Sequence, residues 1–245
     1  MNICLAGDDN RLTHSLRSTL AARGHQVYDA SEINGCDLVL STLRDEKRNN
    51  ALLEEAKKAG CPHFTYVSML HASSAPEIPM LNACRLSEDA VLSSELSYTI
   101  YRPAPLFDEV IDGFLRLMDE KELPWPGKAS SRTNPVHIPE LSAFISDTMT
   151  EENHFYAVGG AETWSFEEIA RLCFAAVGKE PNIQHLPEVV YDAMCLLPQN
   201  KKTGRDAQLR LARWAFTTEL VGDMKVGEES LEMYIRDRLN GWGRL

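Results

Sequence analysis

The 245-residue sequence predicts an α/β fold, a doubly wound parallel sheet with helices on both faces, followed by a small, mostly helical C-terminal lobe. Three observations predict it. Short apolar runs, "NICLA", "HQVY", "CDLVLST", "HFTYVSM" and "SYTIYRP", recur through the first half and have the length and composition of buried strands. Stretches of helical periodicity or helix-forming composition separate most of them, the alternation that builds parallel sheets. Beyond Pro187 the sequence reads as helical to its end.

Taken in order, residues 2–6 form the first strand, ended by Gly7. Leu12, Leu16 and Leu20 then recur at helical spacing, and Gly24 just past Arg23 stops that helix. "HQVY" is the second strand, and "DASEING" (29–35) is a turn-rich link to the third, "CDLVLST". Residues 45–59 are charged and helix-forming, and Gly60 and Pro62 end them. "HFTYVSM" (63–69) alternates and is β-rich. A loop with Pro76 and Pro79 leads to a helix over 82–95 and then the strand "SYTIYRP". "PWPGK" (124–128) is a turn cluster, "NPVHI" an extended piece leading into the helix "PELSAFISDTM", and "HFYAVGG" a strand. In "TWSFEEIARLCFAAVGK", Ser165 with Glu168 three residues on is a capping box, and Gly178 ends the helix. The remaining helices are expected at 188–196, 205–217 and 228–239.

Composition narrows the function. The chain is 44% hydrophobic and 25% charged, with 36 acidic against 25 basic side chains and a net charge of −11. Such a surface repels phosphodiester backbones and anionic membranes, so neither nucleic acid nor a membrane is an expected partner. The run Lys201, Lys202, Arg205, Arg210 and Arg213 reads either as a local basic patch or as the solvated face of a helix. No apolar stretch approaches the roughly 20 residues of a bilayer span, and the N-terminus lacks the marks of a secretory signal. The six cysteines are scattered without CxxC spacing, as expected for reduced thiols in a cytoplasmic protein. The seven histidines show no HxxxH or HExxH pairing, so no metal site is expected.

Six phrases, taken in chain order, resemble a known family. They are "NICLAG…LRSTLAARGHQV", "GCDLVLST", "EEAKKAGCPHFTYVS", "EDAVLSSELSYTIYRP", "NPVHIPELSAFI" and "YAVGGAETWSFEEIARLCFAAVGKEPNIQHLP". Together they resemble the atypical and extended short-chain dehydrogenase/reductase proteins, including the NmrA-like group, over about residues 1–190. The resemblance implies a Rossmann-like, NAD(P)-binding-type core over 1–123. It implies a substrate or partner lobe over 124–245, with two short strands returning to the core. Relatives often pair through helices, which leaves a homodimer open.

The departures from the family pattern bear on chemistry. In "GDDNRLTHSL", Gly7 holds the first place of the G-x-x-G-x-x-G turn, but Asn10 and Thr13 hold the second and third. Those glycines let the backbone approach the pyrophosphate and the helix pack close to the strand. Asn tolerates left-handed backbone, so the turn can survive at Asn10. A side chain at either place still crowds the pyrophosphate. Asp8 and Asp9 bring negative charge to the helix N-terminus, where a phosphate would otherwise gain from the dipole, and are expected to cap the helix. The link 29–35 is shorter than the ~10–12 residues of a parallel crossover, so one strand–helix unit, part of the adenine pocket, is missing. Asp29 stands where the family's ribose-binding carboxylate often sits, or is a turn former.

Counting back from "YRP", the lysine of the family's Tyr-x-x-x-Lys pair falls on Cys84 and the tyrosine on Met80. Neither can substitute. Ser68 matches the strand-end serine; Arg85 could lend charge to Cys84, though from another helix face. These two are the catalytic candidates, while Tyr66 and Tyr98 read as sheet aromatics. If a dinucleotide binds, the residues expected to hold it are Gly7, Asn10, Leu12, Asp29, Ser41, Thr42, Ser68, Arg102 and Pro103. The expected function is that of a family member that has lost dehydrogenase activity, needs no cofactor, and binds a small molecule or protein partner. The alternatives are an NAD(P)-dependent oxidoreductase or epimerase of unusual design, and an enzyme without nicotinamide that uses His137, His154, Asp108 or Glu109.

Overall fold

The computed structural model describes residues 1–117, 123–127, 131–197 and 205–239. They divide into two compact units, one of Met1–Pro103, Ile138–Gly159 and Gly222–Gly227, the other of Ala104–His137, Gly160–Val221 and Glu228–Leu245.

The apolar runs of the first unit become β1 (Asn2–Ala6), β2 (Gln26–Tyr28), β3 (Leu38–Ser41), β4 (His63–Val67), β5 (Ser97–Pro103) and β8 (His154–Gly159). With β11 (Met224–Lys225) they form a seven-stranded sheet in the order β11-β8-β5-β4-β3-β1-β2, every pair parallel. Near-continuous apolar strands suit a sheet covered on both faces. The covering helices are α1 (Arg11–Ala22), α2 (Glu46–Lys58), α3 (Pro79–Leu92) and α5 (Ile138–Thr148). The predicted α/β class and Rossmann-like arrangement are what the chain adopts.

The short link after β2 has a definite path. β3 pairs with β1 on the side opposite β2, Ile3 facing Leu38 and Val27 facing Ile3. The chain crosses β1 with a single 3-10 turn, Ala30–Glu32. A crossover helix would bury one face of the strands; here Ile33 and Cys36 do so, packed in one cluster with Cys4, Val39, Leu53 and Phe64.

Three local expectations change. Pro79, read as loop, is in the first turn of α3, where its missing N–H costs nothing, so the helix runs 79–92 rather than 82–95. The end of the chain is not wholly helical: Met224–Lys225 pairs with Val158 and Gly159, and the last helix starts at Leu231. Gly222 permits this, since a Cβ there would stand 2.4 Å from the Val158 carbonyl carbon. "PWPGK", read as a turn, contains a strand, β6 (Leu123–Pro126), paired in parallel with β10 (Ile183–Leu186). The N–H groups of Leu123 and Gly127 donate to Asn182 and Leu186, so Pro124 and Pro126 fall at the positions that owe β10 no donor.

The second unit also holds α4 (Phe107–Leu115), an antiparallel pair β7 (Arg132–Thr133) and β9 (Trp164–Ser165), α6 (Phe166–Ala176), α7 (Glu188–Leu196), α8 (Arg205–Thr217) and α9 (Leu231–Leu239). The Ser165–Glu168 capping box is formed, and the Ser165 backbone and hydroxyl donors hold the Glu168 carboxyl below its ordinary range. Trp125 stacks on Phe216 at 4.2 Å and on Phe114 at 6.0 Å. Lys201, Lys202 and the Arg205 side chain lie outside the described residues. Among the described residues no helix is long and apolar enough to cross a membrane, and no group of His, Cys, Asp and Glu could hold a metal ion.

Buried His63 at the start of β4 sets a pH dependence. Its ring bonds the Thr99 hydroxyl at 3.0 Å, and burial lowers its pKa, partly opposed by Glu152. The folded protein therefore binds this proton less readily than the unfolded chain, whose histidine titrates near about 6.5. Stability should fall as pH drops below that value, and His63→Asn should flatten the fall in urea midpoints measured across pH.

Candidate functional site

The sheet changes direction at β1: β2 lies on one side of it and β3 on the other. In open α/β sheets the crevice beyond the carboxyl ends of such strands is where ligands bind. Here those ends present Gly7 and Thr42, with the N-terminus of α1 above them.

Asn10, not Asp8 or Asp9, caps α1: its Oδ1 accepts the Thr13 N–H at 3.0 Å. The aspartates are drawn elsewhere, Asp8 to Arg48 and Asp9 to His14, each at 2.6 Å. A short carboxamide in extended backbone (φ −142°, ψ 169°) already satisfies the cap geometry. The left-handed tolerance of asparagine is thus not used. The Thr13 hydroxyl bonds Asn10 Oδ1 at 3.2 Å and the Thr42 hydroxyl at 3.0 Å, tying α1 to the end of β3. This explains why a glycine remains at position 7. A Cβ there would stand 2.2 Å from Thr42 Oγ1 and 2.4 Å from Thr13 Oγ1, so the hydroxyl pair closes directly over the bare backbone.

The other expected ligand residues are each held by protein partners. Leu12 is buried in the core. Ser41 donates to Asn49 at 2.6 Å inside the protein. Asp29 receives Arg17 at 2.5 Å on the surface. Arg102 makes a two-pronged bond to the buried Glu88 carboxylate, at 3.0 and 2.6 Å, with Phe155 under its guanidinium at 4.7 Å. The Pro103 carbonyl accepts the Leu70 N–H.

Ser68, at the end of β4, is fully buried. Its carbonyl accepts Arg44 Nη1 at 2.7 Å, and the same nitrogen lies 3.6 Å from Cys84 Sγ. Its hydroxyl has no hydrogen-bond partner among the described residues. The cation beside Cys84 is therefore Arg44, from the loop after β3; Arg85 instead bonds Asn82 and Asp89 along its own helix. Sequence reasoning passed over Arg44, and its place directly after the "LVLST" strand was the available signal. α3 carries neither tyrosine nor lysine. Tyr66 is buried nearby, donates to the Leu43 carbonyl at 3.4 Å, and has its pKa pushed well up, by burial first and by Cys84, against Arg44. A phenol so held keeps its proton at neutral pH and is a poor acid.

The residues of the third alternative are also occupied. Glu109 accepts the Leu106 N–H at the start of α4, and Asp108 is bonded by Tyr234 and Arg238. His137 stacks on Phe107 at 5.6 Å, and His154 lies 4.3 Å from the Tyr156 ring.

A parallel sheet that reverses at β1, with a capped helix rising from a glycine after that strand, defines a dinucleotide-binding type of α/β protein. A family model described as NAD(P)H-binding matches residues 26–134. Over that stretch, a little under half of the chain, the sequence is similar to NAD(P)H-binding proteins, and the chain has a Rossmann-like α/β fold. Its fold is shared by an NADPH-dependent quinone oxidoreductase from Escherichia coli, with TM-score 0.74, 18% identity, and 97% of this chain and 100% of that one covered. In sequence it is similar to the photosystem II assembly factor Ycf39 of Guillardia theta, 27% identical over 165 residues, 66% of this chain and 52% of that protein. It is also similar to the mitochondrial NADH dehydrogenase [ubiquinone] 1 alpha subcomplex subunit 9 of Arabidopsis thaliana, 25% identical over 143 residues, 55% of this chain and 36% of that protein. The chain spans about half or less of the length of these curated relatives.

Proposed function

We propose that this chain is a Rossmann-fold binding protein without dehydrogenase activity, whose task is to hold a protein partner rather than to turn over a nicotinamide substrate. One observation carries the reading: the Asn10–Thr13–Thr42 hydrogen-bonded set roofs Gly7, where a pyrophosphate would need open backbone. A dinucleotide does not fit these residues. Thr13 N–H, a donor a phosphate would use, is already spent on Asn10. Asp8 and Asp9 put carboxylates beside the same helix end, and α3 lacks a tyrosine–lysine pair to move a proton. The likeness to an assembly factor and to a complex subunit supports a protein partner over a small ligand. The six buried free cysteines support a reducing, cytoplasmic setting.

Titration with NADH and NADPH, followed by fluorescence, tests the reading. No saturable binding is expected in the micromolar range. The Asn10→Gly/Thr13→Gly variant, at a cost of about a few tenths of a kcal/mol for exchanging the asparagine cap for glycine, should bind more tightly than the parent. Micromolar binding to the unaltered chain overturns the proposal. The second reading, an NAD(P)-dependent oxidoreductase or epimerase, has one observation in its favour, the unpartnered hydroxyl of Ser68. Binding together with turnover that Ser68→Ala abolishes would establish it.

A further inference from the structure

We propose that the carboxyl ends of β3 and β4, beneath α2 and α3, hold an internal water site whose ligands are Asn49, Ser68 and Ser87. The three come from α2, from the residue directly after β4, and from α3. Each is 0% exposed, and Asn49 Nδ2, Ser68 Oγ and Ser87 Oγ have no hydrogen-bond partner among the described residues. They lie on one side of the sheet. Leu52 and Leu53 of α2, Val39 of β3, Phe64 and Tyr66 of β4 and Val91 of α3 pack in a single cluster. Side chains alternate along a strand, so Ser68 follows Phe64 and Tyr66 on that side, and Ser41 follows Val39. Asn49 lies one turn before Leu52 and Leu53, and Ser87 one turn before Val91.

A chain of polar contacts joins the three. The Ser41 hydroxyl donates to Asn49 Oδ1 at 2.6 Å and accepts the Leu43 N–H at 3.3 Å. The Leu43 carbonyl accepts the Tyr66 hydroxyl at 3.4 Å, and Tyr66 lies beside Cys84 and Ser87 of α3. Arg44 Nη1 then spans Cys84 Sγ and the Ser68 carbonyl. These links still leave three buried groups over. Turning the Asn49 amide about would exchange its nitrogen and oxygen and leave one of them unpaired all the same. A buried polar group without a partner is costly, and water ordinarily supplies the missing bonds inside proteins. Water both donates and accepts, as a carboxamide and two hydroxyls require. The surroundings also disfavour charge. Burial holds the Tyr66 proton far above its ordinary range although Arg44 stands close, which argues for a neutral molecule over an ion. Complete burial of all three ligands favours the smallest such molecule. The assignment gives the Ser68 hydroxyl a task other than catalysis, and it does not depend on the loss of dehydrogenase activity.

The sign of a stability change tests the site. Where water completes the network, removing one ligand leaves the remaining groups short of a bond. Ser87→Ala in the full chain should then lower the thermal unfolding midpoint by about 2–4 °C. Were the hydroxyl merely unpartnered, alanine would remove a buried polar group and the midpoint would rise or stay level. Ser68→Ala should act in the same direction. The two substitutions together should cost less than the sum of each alone, because both residues bond the same water. A high-resolution crystal structure should show ordered water at about 2.7–3.2 Å from at least two of the three atoms. Alanine variants as stable as the parent or more so overturn the inference, and so do strictly additive losses. It is equally overturned by a crystal structure in which the Ser87 hydroxyl donates to the Ala83 carbonyl, the bond a helical serine otherwise makes. Micromolar NADPH binding would sink the proposed function and leave each of these outcomes as it is.

Discussion

Arg238→Ala should destabilise the protein by about 3 kcal/mol or more, the range seen when one partner of a buried ion pair is removed. The Arg238 guanidinium holds Asp108 at 2.6 Å and Asp112 at 2.5 Å, and the Tyr234 hydroxyl adds a 3.0 Å bond to Asp108. Asp108 is buried at the first turn of α4, and Arg238 comes from the last turn of α9, so the pair fastens the C-terminal helix. Without the guanidinium a carboxylate is left in a site of low polarity, which is the costly event. Two comparisons separate this from loss of packing. Arg238→Met/Asp108→Asn should recover a large part of the loss, because the buried charge is gone. Arg236→Ala, which breaks an exposed bond to Glu232 on the same helix, should cost less than ~1 kcal/mol. Equal urea midpoints for Arg238→Ala and the parent would show that Asp108 does not depend on its cation.

Trp125→Ala should be as damaging, at about 3–5 kcal/mol, by deleting a fully buried aromatic side chain. The ring lies nearly parallel to Phe216 (8°) and to Phe114 (6°), and Phe166 meets Phe216 at 5.1 Å. One substitution therefore unstacks residues from β6, α4 and α8 together. Trp125→Phe should cost far less, about 1 kcal/mol, since it keeps a ring in the stack. It also removes an indole N–H that has no hydrogen-bond partner among the described residues, and burying such a donor is unfavourable. Thermal unfolding of the two variants side by side checks this. A phenylalanine variant as weak as the alanine one would mean that indole shape, not stacking, holds the unit.

Elements with one strong periodic or capping signal were legible before the structure. The helix α1 follows from Leu12, Leu16 and Leu20, all buried, and from Gly24 at φ 80°. The start of α6 follows from Ser165 and Glu168. β6 was hidden because proline ordinarily marks a turn, and only the parallel pairing phase shows that both prolines fall where no donor is needed. β11 has two exposed residues and no alternation to read; its place depends on the close approach that Gly222 allows.

At the site, the substituted glycine places and the missing tyrosine and lysine could be read from residue types alone. Which side chain fills the vacated space could not. Asn10 outcompetes two aspartates for the cap because these are pulled aside by Arg48 and His14, and Arg48 lies forty residues away in α2. Arg44 reaches Cys84 across an equal separation. Such pairings are set by the sheet order, which a seven-residue link left open.

That link also bears on how the chain folds. Ile3 meets Val27 across the single helix α1, and Leu38 follows β2 with no further strand–helix unit between. The loops that must close are short, and the entropy of closure grows with loop length. β1, β2 and β3 thus pair through contacts closer in sequence than those that add β8 and β11 to the sheet, and smaller sequence separation of contacts goes with faster folding. All three strands lie within the first 41 residues, so during synthesis their residues exist well before those of β8 and β11.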